Sequence, residues 1–469
     1  MSHPSFHFVF VPLINLSLIK IQPFNHPLLN LLRFQSNYHL FFSSFKQMGT
    51  SSFPLILLLL TFTTLLCSAA SKTYWGDIQV LKQLKLAVNP NSLSPGSCLS
   101  SWDFSFDPCD SLFSEKFTCG FTCDVVGGTH ISRVTELGLD QAGYSASLAS
   151  VSWTLPFLKS LDLSGNNFSG DIPDSLSNLT RLQRLTLSLN SLSGSIPDLL
   201  GRLTALEELN LDNNALVGPI PSSFSGLVSL KRLEVQGNRL SGEFPELSRL
   251  RSLYFLDCSD NSISGKIPAN FPASLVEISM RNNNLSGNLP EGINKLEFLQ
   301  VLDLSHNQLA GTVPAGYFAH PSLQQLSLSY NNLSSVEDPW NPGTQSGLIA
   351  VDLSGNQLGG LLPGFMGLMP KLSALSLENN RFSGMIPIQY ALKTVLPEPG
   401  MAPFERLLLG GNFLFGPIPD PLMRLEPGSV NVNLGDNCLL VCPNYLFFCQ
   451  GGDQKSLTEC RDNIGPIIP

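Results

Sequence analysis

The chain has 469 residues, of which 13% are charged, and its 27 Lys and Arg against 36 Asp and Glu give a formal charge of −9. An acidic chain this sparing of charge is a poor partner for nucleic acid or an anionic lipid surface, and its ligand is expected to be neutral or basic. The length would admit several ordinary domains, but Leu, Asn, Ser and Gly recur together along most of it, so periodicity has to be settled first.

Residues 1–47 are rich in Phe, Leu and His and contain no Asp or Glu. Residues 48–70, MGTSSFPLILLLLTFTTLLCSAA, have an apolar core followed by small residues, the pattern of a secretory signal peptide cleaved before Ser71. That arrangement predicts translation from Met48, with 1–47 an upstream segment absent from the mature protein. Two rivals are an organelle transit segment, for which there are too few arginines, and an uncleaved anchor, since the 17 residues 53–69 approach the shortest membrane span. Loss of 1–70 removes Lys20, Arg33 and Lys46 and no acid, which leaves 24 basic against 36 acidic residues and a charge of −12.

Residues 71–130 read as a cap. In 75–88, Ile78, Leu81, Leu84, Leu86 and Val88 fall at mostly helical spacing, and Asp77 stands in the first turn, where the helix dipole favours a carboxylate. Cys98, Cys109, Cys119 and Cys123 follow in a Trp- and Phe-rich run. Two disulfides are expected among them, with three connectivities open. Zinc is the rival, because CxxxC occurs at Cys119/Cys123 and again at Cys438/Cys442, but His130 is the only histidine in either cap and the compartment is oxidising, so no metal or other cofactor is expected.

From about 131 to 437 one phrase recurs. Residues 155–173, LPFLKSLDLSGNNFSGDIP, give the template LxxLxxLxLxxNxLSGxIP, and its Asn falls at 166, 190, 214, 238, 261, 283, 307, 331, 356, 380, 412 and 437, with a degenerate first copy that has Ala142 in that place. In L-x-L, alternation points both leucines to one face of a short strand. The Asn side chain bonds the backbone groups left open where the strand turns, and Ser-Gly permits a sharp bend before Ile-Pro. No copy buries its leucines alone, so about 13 leucine-rich repeats are expected to stack into an α/β repeat solenoid, right-handed, with a concave parallel sheet. Cys258, at the second Leu position of LDCSDN, is expected to be a buried, inert thiol. Two stretches break the period: 334–347, which loses Gly-x-Ile-Pro, and the insertion 388–403, which lengthens one step to 32 residues. Both read as surface loops, the kind of insertion that sometimes lies near ligand. Sequons place N-glycans at Asn167, Asn178, Asn284 and Asn332.

Residues 438–469 mirror the first cap, with Cys438, Cys442, Cys449 and Cys460 expected to form two more disulfides. The SGDIP, SGSIP, SGKIP and SGMIP repeats, the SSWD…DPC…C run and the closing GDNCLLVCP resemble the plant extracellular leucine-rich-repeat group: receptor-kinase ectodomains, receptor-like proteins and polygalacturonase inhibitors. The resemblance implies a secreted protein of the apoplast or cell wall, or a plasma-membrane protein held by its N-terminal segment, that binds another molecule through the concave face. The sequence has neither the Gly-rich loop, HRD and DFG elements of a kinase nor an apolar span after residue 70. FTCGFTCD differs from the commoner cap with adjacent cysteines, so only the roles of positions carry over, not individual residues.

Catalytic motifs are absent: the histidines after residue 70 (His130, His306, His320) stand in no nucleophile motif, there is no GxSxG, P-loop or HExxH, and carboxylate pairs such as Asp257/Glu277 arise by chance in a ladder of close strands. The expected function is recognition of an extracellular protein, peptide or cell-wall polysaccharide, with a receptor kinase as a further partner. A hydrolase inhibitor and a wall scaffold are the alternatives. Positions beside the buried leucines of the middle repeats form the expected binding strip: Glu208, Asn210 and Asp212; Arg232, Glu234 and Gln236; Asp257, Ser259 and Asp260; Glu277 and Arg281; Asp303 and His306, with Tyr254, Phe255 and Tyr330 as aromatic anchors. Repeats carrying Ser160, Ser164, Ala350 and Ser354 at those places offer little by the same reading.

Overall fold

The computed structural model describes residues 72–126, 130–339, 345–450 and 452–464. The upstream segment, the signal peptide and its cleavage point lie outside these residues, as does the centre of 334–347. Among the described residues no helix is long and apolar enough to cross a membrane.

The repeats stack into a leucine-rich-repeat solenoid whose main sheet has 14 strands lying side by side in sequence order. The first strand, Phe121–Val125, runs antiparallel to Ser132–Gly138, and every later neighbour is parallel. Most strands are three residues long, with the central apolar residue in register with its neighbours: Leu185 beside Leu209, Leu233 beside Leu256, Ile278 beside Leu302. All six are buried, so one apolar core runs the length of the stack. The outer residues of each triplet face the other way and form columns across the sheet.

Asn214 shows how the turns are satisfied. Its Nδ2 donates to the carbonyls of Leu187, Leu211 and Asp212 at 3.0–3.1 Å, and its Oδ1 accepts from the Leu192 amide at 3.0 Å. The same set recurs at Asn307, Asn331, Asn380 and Asn437. To reach both repeats, the residue before each Asn adopts a left-handed backbone, φ +51 to +55°, at Leu189, Asn213, Asp260, Asn282, His306, Tyr330, Asn379 and Asp436. Four copies use Gly165, Gly237, Gly355 and Gly411 there instead.

The Ser-Gly-x-Ile-Pro phrase forms more than a bend. It pairs between repeats as further parallel sheets of two, six and four strands. Short 3-10 turns such as Asp174–Asn178, Asp198–Arg202 and Ser222–Gly226 then lead back to the next strand. The insertion departs from expectation: instead of a loop, Ile388–Val395 is a helix that packs with the turns Gly364–Leu368 and Asp420–Arg424, away from the main sheet. Its Tyr390 hydroxyl donates to the Pro363 carbonyl at 2.9 Å and its buried Lys393 to the Met369 carbonyl at 2.7 Å, which ties the helix to the preceding repeat.

At the first end, the helix Trp75–Ala87 covers the core with Val80, Leu81 and Leu84, followed by Val88 just past its end, whereas Leu86 is 83% exposed and Ile78 only half-buried. The buried face is set by Asp77 more than by apolar spacing. Its carboxylate is fully buried, receives both arms of the Arg133 guanidinium at 2.9 Å and caps the Val134 amide at 3.0 Å, so it ties the helix to the strand Ser132–Gly138. Trp102, Phe117 and Phe121 pack beside it, and disulfides join Cys98 to Cys119 and Cys109 to Cys123. At the far end Cys438 pairs with Cys460 and Cys442 with Cys449. Cys258 is buried and unpaired, and burial pushes its thiol pKa far up.

Candidate ligand-binding face

The sheet face carries the side chains that register places in columns. One column reads Arg184, Glu208, Arg232, Phe255, Glu277, Val301, Gln325, Ala350, Ala374, Arg406. Two residues on, a second reads Asp162, Thr186, Asn210, Glu234, Asp257, Ser279, Asp303, Ser327, Asp352, Ser376. The expected strip therefore mixes several columns: Glu208 and Glu277 lie in the first and Asn210, Asp257 and Asp303 in the second. Asp212, Gln236, Ser259 and Arg281 stand two residues further along, and Asp260, His306 and Tyr330 occupy left-handed turn positions.

The middle of the strip is cross-linked to itself. The Arg232 guanidinium stacks on Phe255 at 3.6 Å and pairs with Glu234, which also accepts from Gln236 at 3.3 Å. Asp212 accepts from Ser188 and Asn213, and Asp260 from Asn282 at 2.8 Å. Burial raises the pKa of Asp257, against hydrogen bonds from Ser259 that lower it, and burial followed by the Asp257 charge raises that of Glu277 despite Arg232 nearby. Phe255 is thus roofed by Arg232 and is not an open anchor. Tyr254 lies just before the strand Phe255–Asp257, outside both columns.

Further along, the face opens into a hollow of about 400 Å³ across the strands Val301–Asp303 to Arg406–Leu408. Its floor combines the small residues Ser327, Ala350, Ala374 and Ser376 with Val301, Gln325 and Leu408, and its walls include Asp303, Asp352, Glu378, Tyr330 and Arg406. Asp303 and Asp352 each use Oδ1 to hold the amide and hydroxyl of the Ser two residues on, at 2.6–3.0 Å. Glu378 accepts from Asn433 at 2.6 Å. Among the described residues none of these three carboxylates, nor Arg406, enters an ion pair. Tyr330 is 52% exposed and stacks on His306, with ring centroids 4.4 Å apart and planes 14° apart.

Of the repeats read as offering little, the one with Ala350 and Ser354 lines this hollow and the one with Ser160 and Ser164 does not. Ala350 and Ala374 vacate the column that Arg232 and Phe255 fill elsewhere, and Asp352 stands in the other column, between Ser327 and Ser376. Arg406 was hidden by the 32-residue step, although counting back two residues from the Leu408-Leu409 pair would have found it. The four sequon asparagines are exposed and lie off this face: Asn284 and Asn332 in lateral strands, Asn178 in a 3-10 turn, and Asn167 in the turn just before the lateral strand Ser169–Asp171.

Leucine-rich-repeat models match residues 156–216 and 321–382, and a second such model matches 252–273, 274–296 and 298–318. Among curated relatives, the inactive LRR receptor-like serine/threonine-protein kinase BIR2 of Arabidopsis thaliana is 34% identical over 137 residues, 28% of this chain and 20% of that protein. Two solved structures extend the likeness: the plant peptide hormone receptor RGFR1 in complex with RGF2 (30% identity, TM-score 0.52, 63% of this chain and 50% of that one) and PEPR1–AtPEP1 (29%, 0.57, 78% and 55%). The chain is a leucine-rich-repeat protein of the plant extracellular type. It spans about a fifth of BIR2 and about half of the two receptor chains. The family-model matches fall within the repeats, the part of this leucine-rich-repeat protein that builds the sheet face.

Proposed function

We propose that this leucine-rich-repeat protein recognises an extracellular peptide or protein segment on its sheet face, in the apoplast or at the cell surface, and passes the bound state to a receptor kinase rather than transforming its ligand. The observation that carries the reading is the row of charged and aromatic side chains lining an open hollow with no ion-pair partners among the described residues, on a scaffold like that of plant receptors solved with RGF2 and AtPEP1. Polar groups left in this state cost little while hydrated and reward a partner that pairs them, which favours a specific ligand over a wall scaffold. The central strip from Glu208 to Arg281 would flank the same ligand.

The test is affinity capture from plant wall extract on the immobilised folded chain, with elution by salt and mass spectrometry of the eluate. A defined peptide or protein should elute, and the yield should fall when Glu208, Glu234, Asp257 and Glu277 are changed to Lys. Recovery of polysaccharide alone, or of an active wall hydrolase that the chain inhibits, would replace the reading with one of its alternatives.

A further inference from the structure

We infer that the hollow between Tyr330 and Arg406 seats one cationic side chain, a Lys or Arg, of an extended peptide whose acidic residue lies about four to five positions away; this rests on the peptide reading above. The geometry follows from the register. Asp303, Ser327 and Asp352 are successive members of one column, so Ser327 stands one strand from each carboxylate, about 4.8 Å on either side. Ser327 is short. A cation lowered onto it comes within reach of both Asp303 and Asp352, whose second oxygens are not used by Ser305 and Ser354.

Tyr330, three residues beyond Ser327 in the same repeat, is held between His306, stacked on one side, and Gly355, where an added Cβ would lie 2.8 Å from the ring, so it stands as a fixed wall of the seat. The small floor matters as much as the walls. Arg or Phe at Ala350 or Ala374, as the same column has at Arg232 and Phe255, would fill the space a ligand side chain needs. Glu378 extends the acidic wall, and Arg406 then reverses the sign at the far end.

That reversal gives the site a direction. Arg406 lies three strands beyond Ser327 and two residues back along its own strand, about 16 Å away, which an extended chain covers in about four to five residues. Arg406 repels a second cation and pairs with a carboxylate, so a ligand with the charges in the opposite order, or with two cations at this spacing, is disfavoured. The central strip does not supply such a seat, because Arg232 already occupies the equivalent place between Glu234 and Glu277.

The experiment is selection of random octapeptides displayed on messenger RNA against the full secreted chain, run in parallel on Asp303→Asn/Asp352→Asn, on Ala374→Trp, and on the control Lys295→Glu in the 3-10 turn behind the sheet. Circular dichroism checks that each variant is folded. The expected result is enrichment of peptides with Lys or Arg at one position and Asp or Glu about four to five residues away, with affinity at least tenfold weaker for both hollow variants and unchanged for the control. Enriched peptides without a required cation, or equal binding to Ala374→Trp and the parent, would overturn this inference while leaving peptide recognition in place. Failure of any peptide to enrich over bare support would overturn both.

Discussion

His320 occupies a place that other repeats give to leucine: Leu296, 24 residues earlier, is its counterpart, and both are almost fully buried. Nδ1 accepts the Leu323 amide at 3.1 Å, so the imidazole caps the turn in its neutral form. Burial lowers its pKa, against the carbonyls of Ile293 and Leu296, which raise it. The unfolded chain therefore takes up the proton first as pH falls through the ordinary imidazole range near 6.5, and the folded state loses stability across that window until the lowered pKa is passed. Replacing His320 by Leu should remove this acid-side loss. Thermal melts of parent and variant at pH 4.5 to 7.5 should diverge below about pH 6.5 with the variant the more stable, and parallel curves would show that His320 does not titrate on folding. At this scale the sequence was only partly legible. The buried Cys258 could be read from its Leu position, but Asp77 could not: its place in the first helical turn suggested a dipole contact, whereas its decisive partner, Arg133, is 56 residues away.

The repeat is held by its Asn as much as by its leucines. Asn307 donates to Met280, Leu304 and Ser305 and accepts from the Leu285 amide, all within 2.9–3.2 Å and all buried or partly buried. Asn307→Ala leaves that amide and three carbonyls short of partners, at a cost of about 2–5 kcal/mol, more than a leucine-to-valine change in the same repeat would cause. Urea denaturation should show the loss, and a change under about 0.5 kcal/mol would mean that water replaces the side chain in the turn. The strand, the Asn turn and the buried leucines were legible because every copy restates them. The lateral sheets were not, since SGxIP read singly is a bend and becomes a strand only when the next repeat supplies its partner. The hollow was hidden for the opposite reason: it is made by residues that are small, and a search for conspicuous side chains passes over Ala350 and Ala374.

Across the whole molecule the two ends are the vulnerable places, because a stack exposes its core wherever a neighbour is missing. Each end is closed by two disulfides, which leaves Cys258 as the single unpaired cysteine among the described residues. Thiol titration of the secreted protein in denaturant should find one reactive group per chain. The double change Cys438→Ser/Cys460→Ser should cost about 2–5 kcal/mol and bring on aggregation at temperatures where the central strands still give their native circular dichroism. Simultaneous loss of both signals would mean that the stack melts as one unit.

The Asn rungs reach only one repeat back, and this makes the length of the molecule countable. Excision of residues 190–213 would set Asn214 directly after Leu189, where it meets the carbonyls of Leu163, Leu187 and Ser188 and the amide of Phe168 that Asn190 now serves. Nothing downstream would change phase. The span between the first cap and the hollow would shorten by one strand spacing, about 4.8 Å, with the same floor and the same charges at its end. Such a chain can be lengthened or trimmed in whole steps, as a ruler is, without rewriting the mark at which it reads.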